Sequence, residues 1–144
     1  MNLSSKTTSI DHPIYTFLRL VEQYQANERL IIAYDFDDTV SPYHSSNCWR
    51  AQSVIRAARE YLNAYLIVYT SNPDEEKVKK FLEKENIPYD VINENAPFVH
   101  FNNKGKVYYN LLLDDKAGLH QAINDLETLI NGVINGNIRK ETVR

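Results

Sequence analysis

Hydrophobic positions along the chain fall into two patterns, short continuous runs and stripes at helical spacing. Continuous apolar runs predict buried strands over roughly residues 30–34, 65–69, 89–92 and 107–113. Apolar residues recurring every three or four positions predict helices over roughly residues 13–27, 49–63, 73–85 and 117–131. This alternation predicts an α/β fold of three layers, Rossmann-like, with a mainly parallel sheet.

Capping residues mark several predicted helix ends. Asp11 is a candidate N-cap for the first helix. Asn72 is the predicted N-cap of the third, with Pro73 in its first turn. Asn131-Gly132 is the predicted end of the last helix, because glycine tolerates the left-handed backbone that often follows a helix.

Length and composition indicate one globular domain over residues 1–144. Residues 1–10 are expected to form a loose polar lead-in, whereas the order of residues 134–144 stays open. Hydrophobic residues make up 43% of the chain and charged residues 24%, which is ordinary for a soluble globular protein. The ten tyrosines and Trp49 fall mostly on predicted strands and helix faces, so core packing is favoured over base stacking.

Charge, cysteine content and the absence of long apolar runs limit the expected binding partners and cellular location. The formal net charge of −3 argues mildly against broad binding to nucleic acid. Cys48 is the single cysteine, so no intrachain disulfide can form, and packing is its expected role. The polar N-terminus does not have the apolar stretch of a signal peptide, and no run is long enough to span a membrane. A cytoplasmic location is therefore expected.

Two predicted strands end in carboxylates. Asp35 and Asp37 follow the first strand, and Asp114 and Asp115 follow the last. Because parallel strands end at one edge of the sheet, these acids are expected to meet there. They would repel one another unless a cation lay among them, and oxygen ligands suit Mg²⁺. The sequence therefore predicts a Mg²⁺ site that serves phosphate chemistry.

The spacing of Asp35 and Asp37 has a chemical logic. One carboxylate can attack phosphorus, while the other protonates the leaving oxygen and later activates water. The hydroxyl of Thr39 can fix the loop between them and the next element. An isolated pair of this kind would more often be a turn or a helix cap.

Here the pair is accompanied by further motifs. Asp35-x-Asp37-x-Thr39 after an apolar strand resembles the first motif of the haloacid dehalogenase superfamily. Residues 66–70, Leu-Ile-Val-Tyr-Thr, resemble the second motif, and residues 111–115, Leu-Leu-Leu-Asp-Asp, resemble the fourth. Residues 103–119 resemble a small capless, phosphatase-like branch of bacterial and phage type. The resemblance covers roughly residues 30–130.

The resemblance implies a role for each matching residue. Asp35 would be the nucleophile that forms an aspartyl-phosphate, and also a Mg²⁺ ligand. Asp37 would be the general acid and base, with its backbone carbonyl on the metal. Thr70 would donate a hydrogen bond to the transferred phosphoryl group. Asp115 would bind the metal directly, and Asp114 would be a second ligand or support the first.

The third motif of the family is a lysine near the metal, which neutralises phosphate and nucleophile. Lys106 is the first choice, because it precedes the last strand as in the capless branch. Lys104 and Lys77 are alternatives. A single lysine is more often a solvated surface charge, and this interpretation is favoured for Lys104.

Further polar residues near the strand ends are candidates for substrate binding. Thr39, Ser71 and Asn72 are the residues proposed for this role, although Ser71 and Asn72 also suit the entry to a helix. His44 and Arg50 follow the first motif and could reach a substrate, but exposed loop and helix-start groups are the commoner reading.

Neither usual position for a cap domain has room for one. Residues 40–47 are predicted to form only a short loop, and the other position is predicted to hold one helix, one short strand and the loop 93–106. An open site could accept a small phosphoester, a nucleotide or a nucleic-acid end, or use a second copy of the chain as a lid.

The sequence therefore predicts a Mg²⁺-dependent phosphohydrolase, a phosphomonoesterase that acts through an aspartyl-phosphate. The alternative is a non-catalytic phosphate-sensing or interaction domain on the same scaffold. A metal-dependent glycosyltransferase is disfavoured, because the chain is short and shows no nucleotide-sugar region.

Overall fold

The computed structural model describes residues 3–44, 47–100 and 105–141. The helices are α1 (Tyr15–Ala26), α2 (Trp49–Leu62), α3 (Glu75–Lys84) and α4 (Leu119–Ile134). The strands are β1 (Ile31–Tyr34), β2 (Tyr65–Val68), β3 (Val91–Ile92) and β4 (Leu111–Leu113). They form one sheet in the order β3-β2-β1-β4, and every pair is parallel. This α/β arrangement is compatible with a Rossmann-like fold.

The register of the sheet brings three strand ends to one level. Tyr34, the last residue of β1, pairs with Val68 at the end of β2 and with Leu113 at the end of β4. The residues that follow these strands therefore emerge together at one edge of the sheet. In open α/β sheets, this edge is where ligands bind.

The predicted third and fourth strands are longer than the observed β3 and β4. At the start of each observed strand, a side chain and not the backbone accepts the hydrogen bond from the neighbouring strand. Asn110 Oδ1 accepts a hydrogen bond from the Ile31 N–H at 2.8 Å. Asp90 Oδ2 likewise accepts from the Leu66 N–H at 2.8 Å. In both cases a side-chain oxygen takes the place of the backbone carbonyl that would otherwise accept this N–H. Regular strand pairing begins only after the residue that supplies this oxygen.

All four helices pack on one face of the sheet. Ile32 and Tyr34 point to this face, since successive side chains of a strand point to opposite sides. The buried cluster there takes residues from every helix, including Leu20, Ile55, Leu82 and Leu126. This is the principal hydrophobic core of the molecule.

In the part of the chain that the structure describes, residues of the connection between β3 and β4 cover the opposite face, and no helix packs there. Ala96 and Val107 from this connection are buried against Ala33 and Ile67. The expected third layer is therefore irregular chain wherever the structure describes it. The connection must cross from one edge of the sheet to the other, and its sequence lacks the periodicity that a helix needs.

Two predicted helix caps are wrong. Asp11 accepts a hydrogen bond from Ser9 Oγ at 2.6 Å, and no side chain caps α1. The cap of α3 is Asp74, whose Oδ1 accepts from the Lys77 N–H at 3.1 Å. Asn72 instead accepts from the Asp74 N–H at 2.9 Å, in a turn that leads into the helix.

The predicted end of α4 at Asn131-Gly132 is also wrong, because the helix continues to Ile134. A Cβ atom on Gly132 would lie 2.5 Å from Cδ1 of Ile138. Any larger residue here would displace the Ile138 side chain, so glycine favours the close approach of the following segment. The left-handed residue after the helix is Gly136, with φ of 78°.

The segment after α4, whose order the sequence did not predict, lies against α1 as far as residue 141. Ile138 packs against the principal core. Lys140 Nζ donates to the Asn27 carbonyl at 2.6 Å and lies 4.2 Å from the centre of the Tyr24 ring. These contacts tie the C-terminal segment to the first helix.

Within the described ranges, no helix combines the length and the apolar character needed to cross a membrane.

Candidate active site

A cleft of about 800 Å³ lies at the carboxyl edge of the sheet. It is bordered by the segments that follow β1, β2 and β4, together with part of the β3–β4 connection. Its lining residues are Asp35, Asp37, Asp38, Tyr43, His44, Tyr69, Thr70, Ser71, Asn93, Gly105, Val107, Asp114, Asp115 and Lys116. The cleft therefore brings together most of the site residues predicted from the sequence.

Three carboxylates in the cleft lie close enough to share one cation. One oxygen each from Asp35, Asp114 and Asp115 lie within 4.8 Å of one another. The Asp35 N–H donates to the Leu113 carbonyl at 2.8 Å, so Asp35 emerges directly beside the end of β4. The parallel pairing of β1 and β4 thus creates this cluster.

The surroundings of Asp35 disfavour its charged form. Burial raises the pKa of Asp35 to about 7, and the negative charge of Asp114 adds to this effect. A hydrogen bond with Asp115 and its charge raise the pKa further, while a hydrogen bond from the Phe36 backbone opposes the shift. A cation among these groups would favour the charged form of all three carboxylates.

Asp37 lines the same cleft from a tight turn after β1. The Asp38 N–H donates to the Ser41 carbonyl at 2.8 Å, and Asp38 adopts a left-handed backbone with φ of 63°. Aspartate tolerates this conformation better than most residues. The turn brings the Asp37 side chain to the cleft two residues after Asp35.

Thr39 lies beneath the cleft and does not line it. Its side chain is buried, with 1% of the residue exposed. The Asp115 N–H donates to Thr39 Oγ1 at 3.1 Å, and the Thr39 hydroxyl donates to Asp115 Oδ1 at 3.4 Å. The hydroxyl thus fixes the loop after β1 by bonding to Asp115. Fixing this loop was one of the two roles predicted for Thr39.

On the β2 side, Thr70 and Ser71 line the cleft. The Thr70 N–H donates to Asn93 Oδ1 at 2.9 Å, and Asn93 Nδ2 donates to the Thr70 carbonyl at 2.7 Å. Thr70 Oγ1 accepts from the Asn72 N–H at 3.0 Å, which leaves its proton free to point at a ligand. Asn72 is not among the lining residues.

Asn93 also lines the cleft and is not among the site residues predicted from the sequence. Its position directly after β3 is the signal that could have found it, since it emerges at the same sheet edge as the acids. Both hydrogen bonds of its side chain to Thr70 hold the end of β2 in place.

The lysine candidates occupy different places. Lys106 is exposed, and its neighbours Gly105 and Val107 line the cleft while Lys106 does not. Lys77 is exposed on α3 and lies outside the cleft lining. Lys104 lies outside the described residues.

Lys116 is a cationic lining residue that was not among the lysines predicted from the sequence. Its N–H donates to Asp114 Oδ1 at 3.0 Å, so its backbone is tied to the acid pair. Its position two residues after Asp114 is the signal that could have selected it.

Asp38 organises the loop after β1. Its Oδ1 accepts from the backbone N–H groups of Tyr43 at 3.0 Å and His44 at 2.5 Å. Its Oδ2 lies 2.7 Å from His44 Nδ1. His44 is therefore an exposed loop residue, as expected, yet it lines the cleft.

Arg50 takes no part in the cleft lining. Its Nη2 donates to Asn124 Oδ1 and to Glu127 Oε1, each at 2.6 Å. Arg50 is thus a half-buried link between α2 and α4, and neither a substrate group nor the exposed helix-start residue that was the commoner interpretation.

Comparison with known proteins yields no match. No protein-family model, no curated protein and no solved structure matches this chain significantly. The residues of the cleft are therefore the basis for assigning a function to this chain.

Proposed function

We propose that this chain is a Mg²⁺-dependent phosphohydrolase of haloacid dehalogenase type, without a cap domain, that acts through an aspartyl-phosphate. The observation that carries the proposal is the cluster of Asp35, Asp114 and Asp115, whose oxygens lie within 4.8 Å of one another in an open cleft. A carboxylate-rich strand edge with hydroxyl and lysine side chains beside it suits phosphate bound with a hard cation.

The donor set fits Mg²⁺, because it consists only of oxygen atoms. Asp35, Asp114 and Asp115 would hold the ion, together with the backbone carbonyl of Asp37. When bound, Mg²⁺ neutralises the carboxylates and the phosphate, so that two anions can approach each other. The raised pKa of Asp35 supports this assignment, since a cation would offset both the burial of this carboxylate and the negative charge of Asp114, which raise it.

The protein groups then divide the chemistry between them. A carboxylate oxygen of Asp35 attacks phosphorus and forms an acyl phosphate, while the ester P–O bond breaks. Asp37 gives its proton to the leaving oxygen. Asp37 next takes a proton from a water molecule, whose oxygen attacks the acyl phosphate. Inorganic phosphate leaves and the Asp35 carboxylate is restored.

Hydroxyl and ammonium groups in and beside the cleft would hold the transferred phosphoryl group. Thr70 and Ser71 offer hydroxyl protons from the end of β2. Lys106 is the proposed lysine of the third motif, because the cleft is lined by the residues on both sides of it. Lys116 adds a second positive charge to the cleft.

Because the cleft is open, its substrate can be a small phosphoester, a nucleotide or the end of a nucleic acid. The described parts of the β1–α2 and β3–β4 connections contain no helix and no named strand. A second copy of the chain is a candidate lid, and the cytoplasm is the proposed setting.

Phosphate release from a panel of phosphomonoesters, in Mg²⁺ or in EDTA, tests the proposal. We expect Mg²⁺-dependent turnover that falls by at least about a thousandfold in Asp35→Asn and in Asp37→Asn, since each group is needed in the covalent route. Asp11→Asn is the matched control, because Asp11 is an exposed acid outside the cleft lining.

Mass spectrometry of rapidly quenched enzyme gives a second readout. We expect one additional phosphoryl group on a peptide that contains Asp35, and none in Asp35→Asn. Turnover that survives EDTA or the Asp35→Asn change would contradict the mechanism.

A further inference from the structure

Two tyrosine side chains border the cleft and are open to solvent. Tyr43 is 72% exposed and Tyr69 is 41% exposed, and both line the cleft. Core packing, the role expected for most tyrosines of this chain, does not apply to these two. Large aromatic faces beside a binding cleft are commonly covered by a ligand.

Tyr69 is held in place by the sheet. Its N–H donates to the Tyr34 carbonyl at 2.8 Å, so the chain remains paired with β1 one residue beyond the end of β2. Because side chains alternate along a strand, Tyr69 shares a face with Ile67, on the side of the β3–β4 connection. A rigid strand end thus presents this ring.

Tyr43 is held by the loop after β1. Its N–H donates to Asp38 Oδ1, and its ring packs edge-on against His44 with 4.6 Å between the ring centres. Asp38 also binds Nδ1 of His44, which fixes the neighbour of the tyrosine ring. Because the backbone of Tyr43 is already fixed, only its side chain loses conformational entropy when a ligand covers the ring.

We propose that the cleft binds a nucleoside monophosphate unit, free or at the end of a strand, with its base against Tyr43 and Tyr69 and its phosphate at Asp35. This inference rests on the proposed function. Aromatic side chains bind any base through stacking. A site built on two tyrosines therefore needs no hydrogen-bonding groups that recognise one particular base.

Size and charge support the same ligand class. A cleft of about 800 Å³ is within the usual range for small-molecule sites and is far larger than a phosphate group needs. Five lining residues are acidic, Asp35, Asp37, Asp38, Asp114 and Asp115. This acidic surface, with a net charge of −3, favours one nucleotide over a long polyanionic strand.

The test compares nucleoside 5′-monophosphates with ribose 5-phosphate, which has the same ester but no base. For the wild type we expect kcat/KM to favour the nucleotides by about tenfold or more, the size expected from stacking. In Tyr43→Leu and Tyr69→Leu this preference should fall at least about threefold each, and in the double variant it should approach unity.

Matched variants separate stacking from general damage. Tyr43→Phe keeps the ring and should keep the preference. Tyr61→Leu removes a tyrosine that is 47% exposed on α2 but lies outside the cleft lining, and it should keep the wild-type preference. Unfolding midpoints of all variants show whether each is folded.

Binding without turnover separates this proposal from the proposed function. Calorimetry with Mg²⁺ compares a non-hydrolysable nucleoside 5′-methylenephosphonate with methylphosphonate. Tighter binding of the nucleoside compound that weakens in the tyrosine variants supports the base site, even if no phosphate is ever released. Equal binding of the two compounds, or a preference that the double variant retains, overturns it.

A 5′-phosphorylated trinucleotide distinguishes the two sources of the ligand. Turnover equal to that of the mononucleotide indicates a strand end as substrate, and a much weaker reaction indicates the free nucleotide. Turnover of ribose 5-phosphate with no preference for nucleotides in the wild type would leave the phosphohydrolase standing and overturn the base site.

Discussion

Thr39 and Asp115 are joined by two hydrogen bonds, although 76 positions separate them in the chain. The buried hydroxyl of Thr39 accepts from the Asp115 N–H at 3.1 Å and donates to the Asp115 carboxylate at 3.4 Å. One side chain thus links the loop after β1 to the loop after β4. The position of Asp115 in the acidic cluster therefore depends on Thr39.

Replacing Thr39 with valine should weaken both the fold and the metal site. Thr39→Val leaves the Asp115 N–H without its acceptor, which we expect to cost about 1–3 kcal/mol in the free energy of unfolding. Mg²⁺ affinity, measured by calorimetry, should fall as well. Thr39→Ser keeps the hydroxyl and is the control. Wild-type stability and affinity in Thr39→Val would show that this link is unimportant.

The stability of the metal-free protein should depend on pH through Asp35. The folded state raises the pKa of Asp35 to about 7, whereas an unfolded aspartate titrates near about 3.9. Folding therefore favours the protonated form. The stability contributed by this group is complete below about pH 4 and is lost as the pH rises through about 7.

The amide in Asp35→Asn does not titrate, so this variant avoids that loss. In EDTA, we expect its unfolding midpoint to exceed that of the wild type at about pH 8, with the gap closing toward about pH 4. Mg²⁺ should stabilise the wild type more than the variant. Asp11→Asn should show no such gap. A wild type more stable than Asp35→Asn at high pH in EDTA would contradict the raised pKa.

Under the proposed function, Lys106 should matter for turnover and Lys77 should not. Both are exposed lysines, but only Lys106 has neighbours on both sides that line the cleft. We expect Lys106→Gln to lower kcat/KM by about tenfold or more, because a positive charge beside the phosphoryl group is lost. Lys77→Gln should remain within about twofold of the wild type. Equal effects of the two changes would remove Lys106 from the third motif.

Gly132 and Ile138 should be energetically coupled. A Cβ on residue 132 would lie 2.5 Å from Ile138 Cδ1 and 2.8 Å from its Cγ1. We expect Gly132→Ala to destabilise the protein by about 1–3 kcal/mol through this overlap. In an Ile138→Ala background, the same change should instead stabilise it by about 1 kcal/mol, because alanine favours the helix.

Urea unfolding of the four proteins in this double-mutant cycle measures the coupling. If Gly132→Ala stabilised both backgrounds equally, the segment after α4 would not pack on the helix as described.

Local patterns in the sequence were sufficient to predict every described strand and helix in the correct order. Four apolar residues in a row, such as 65–68, bury both faces of a strand wherever it lies in a sheet. The acids that follow β1 and β4 were predicted to meet because parallel strands share one carboxyl edge. These features depend on short windows of sequence and on the general geometry of α/β sheets.

Element ends depended on contacts that short windows do not specify. Asn72 and Asp74 are both good capping residues, and the path of the chain into α3 decided between them. Gly132 is typical of a helix end, but Ile138 folds back over it and favours a glycine inside the helix. A cap or a close approach is decided by the position of the neighbouring chain.

The sequence by itself determined the strands, the helices and the carboxylates that the sheet would bring together. Only the tertiary structure decided that the helices share one face, that Thr39 holds Asp115, and that Asn93, Lys116, Tyr43 and Tyr69 line the cleft. The physical reason is distance along the chain. Periodicity is set by neighbours a few residues apart, whereas these contacts join segments that approach one another only when the core packs.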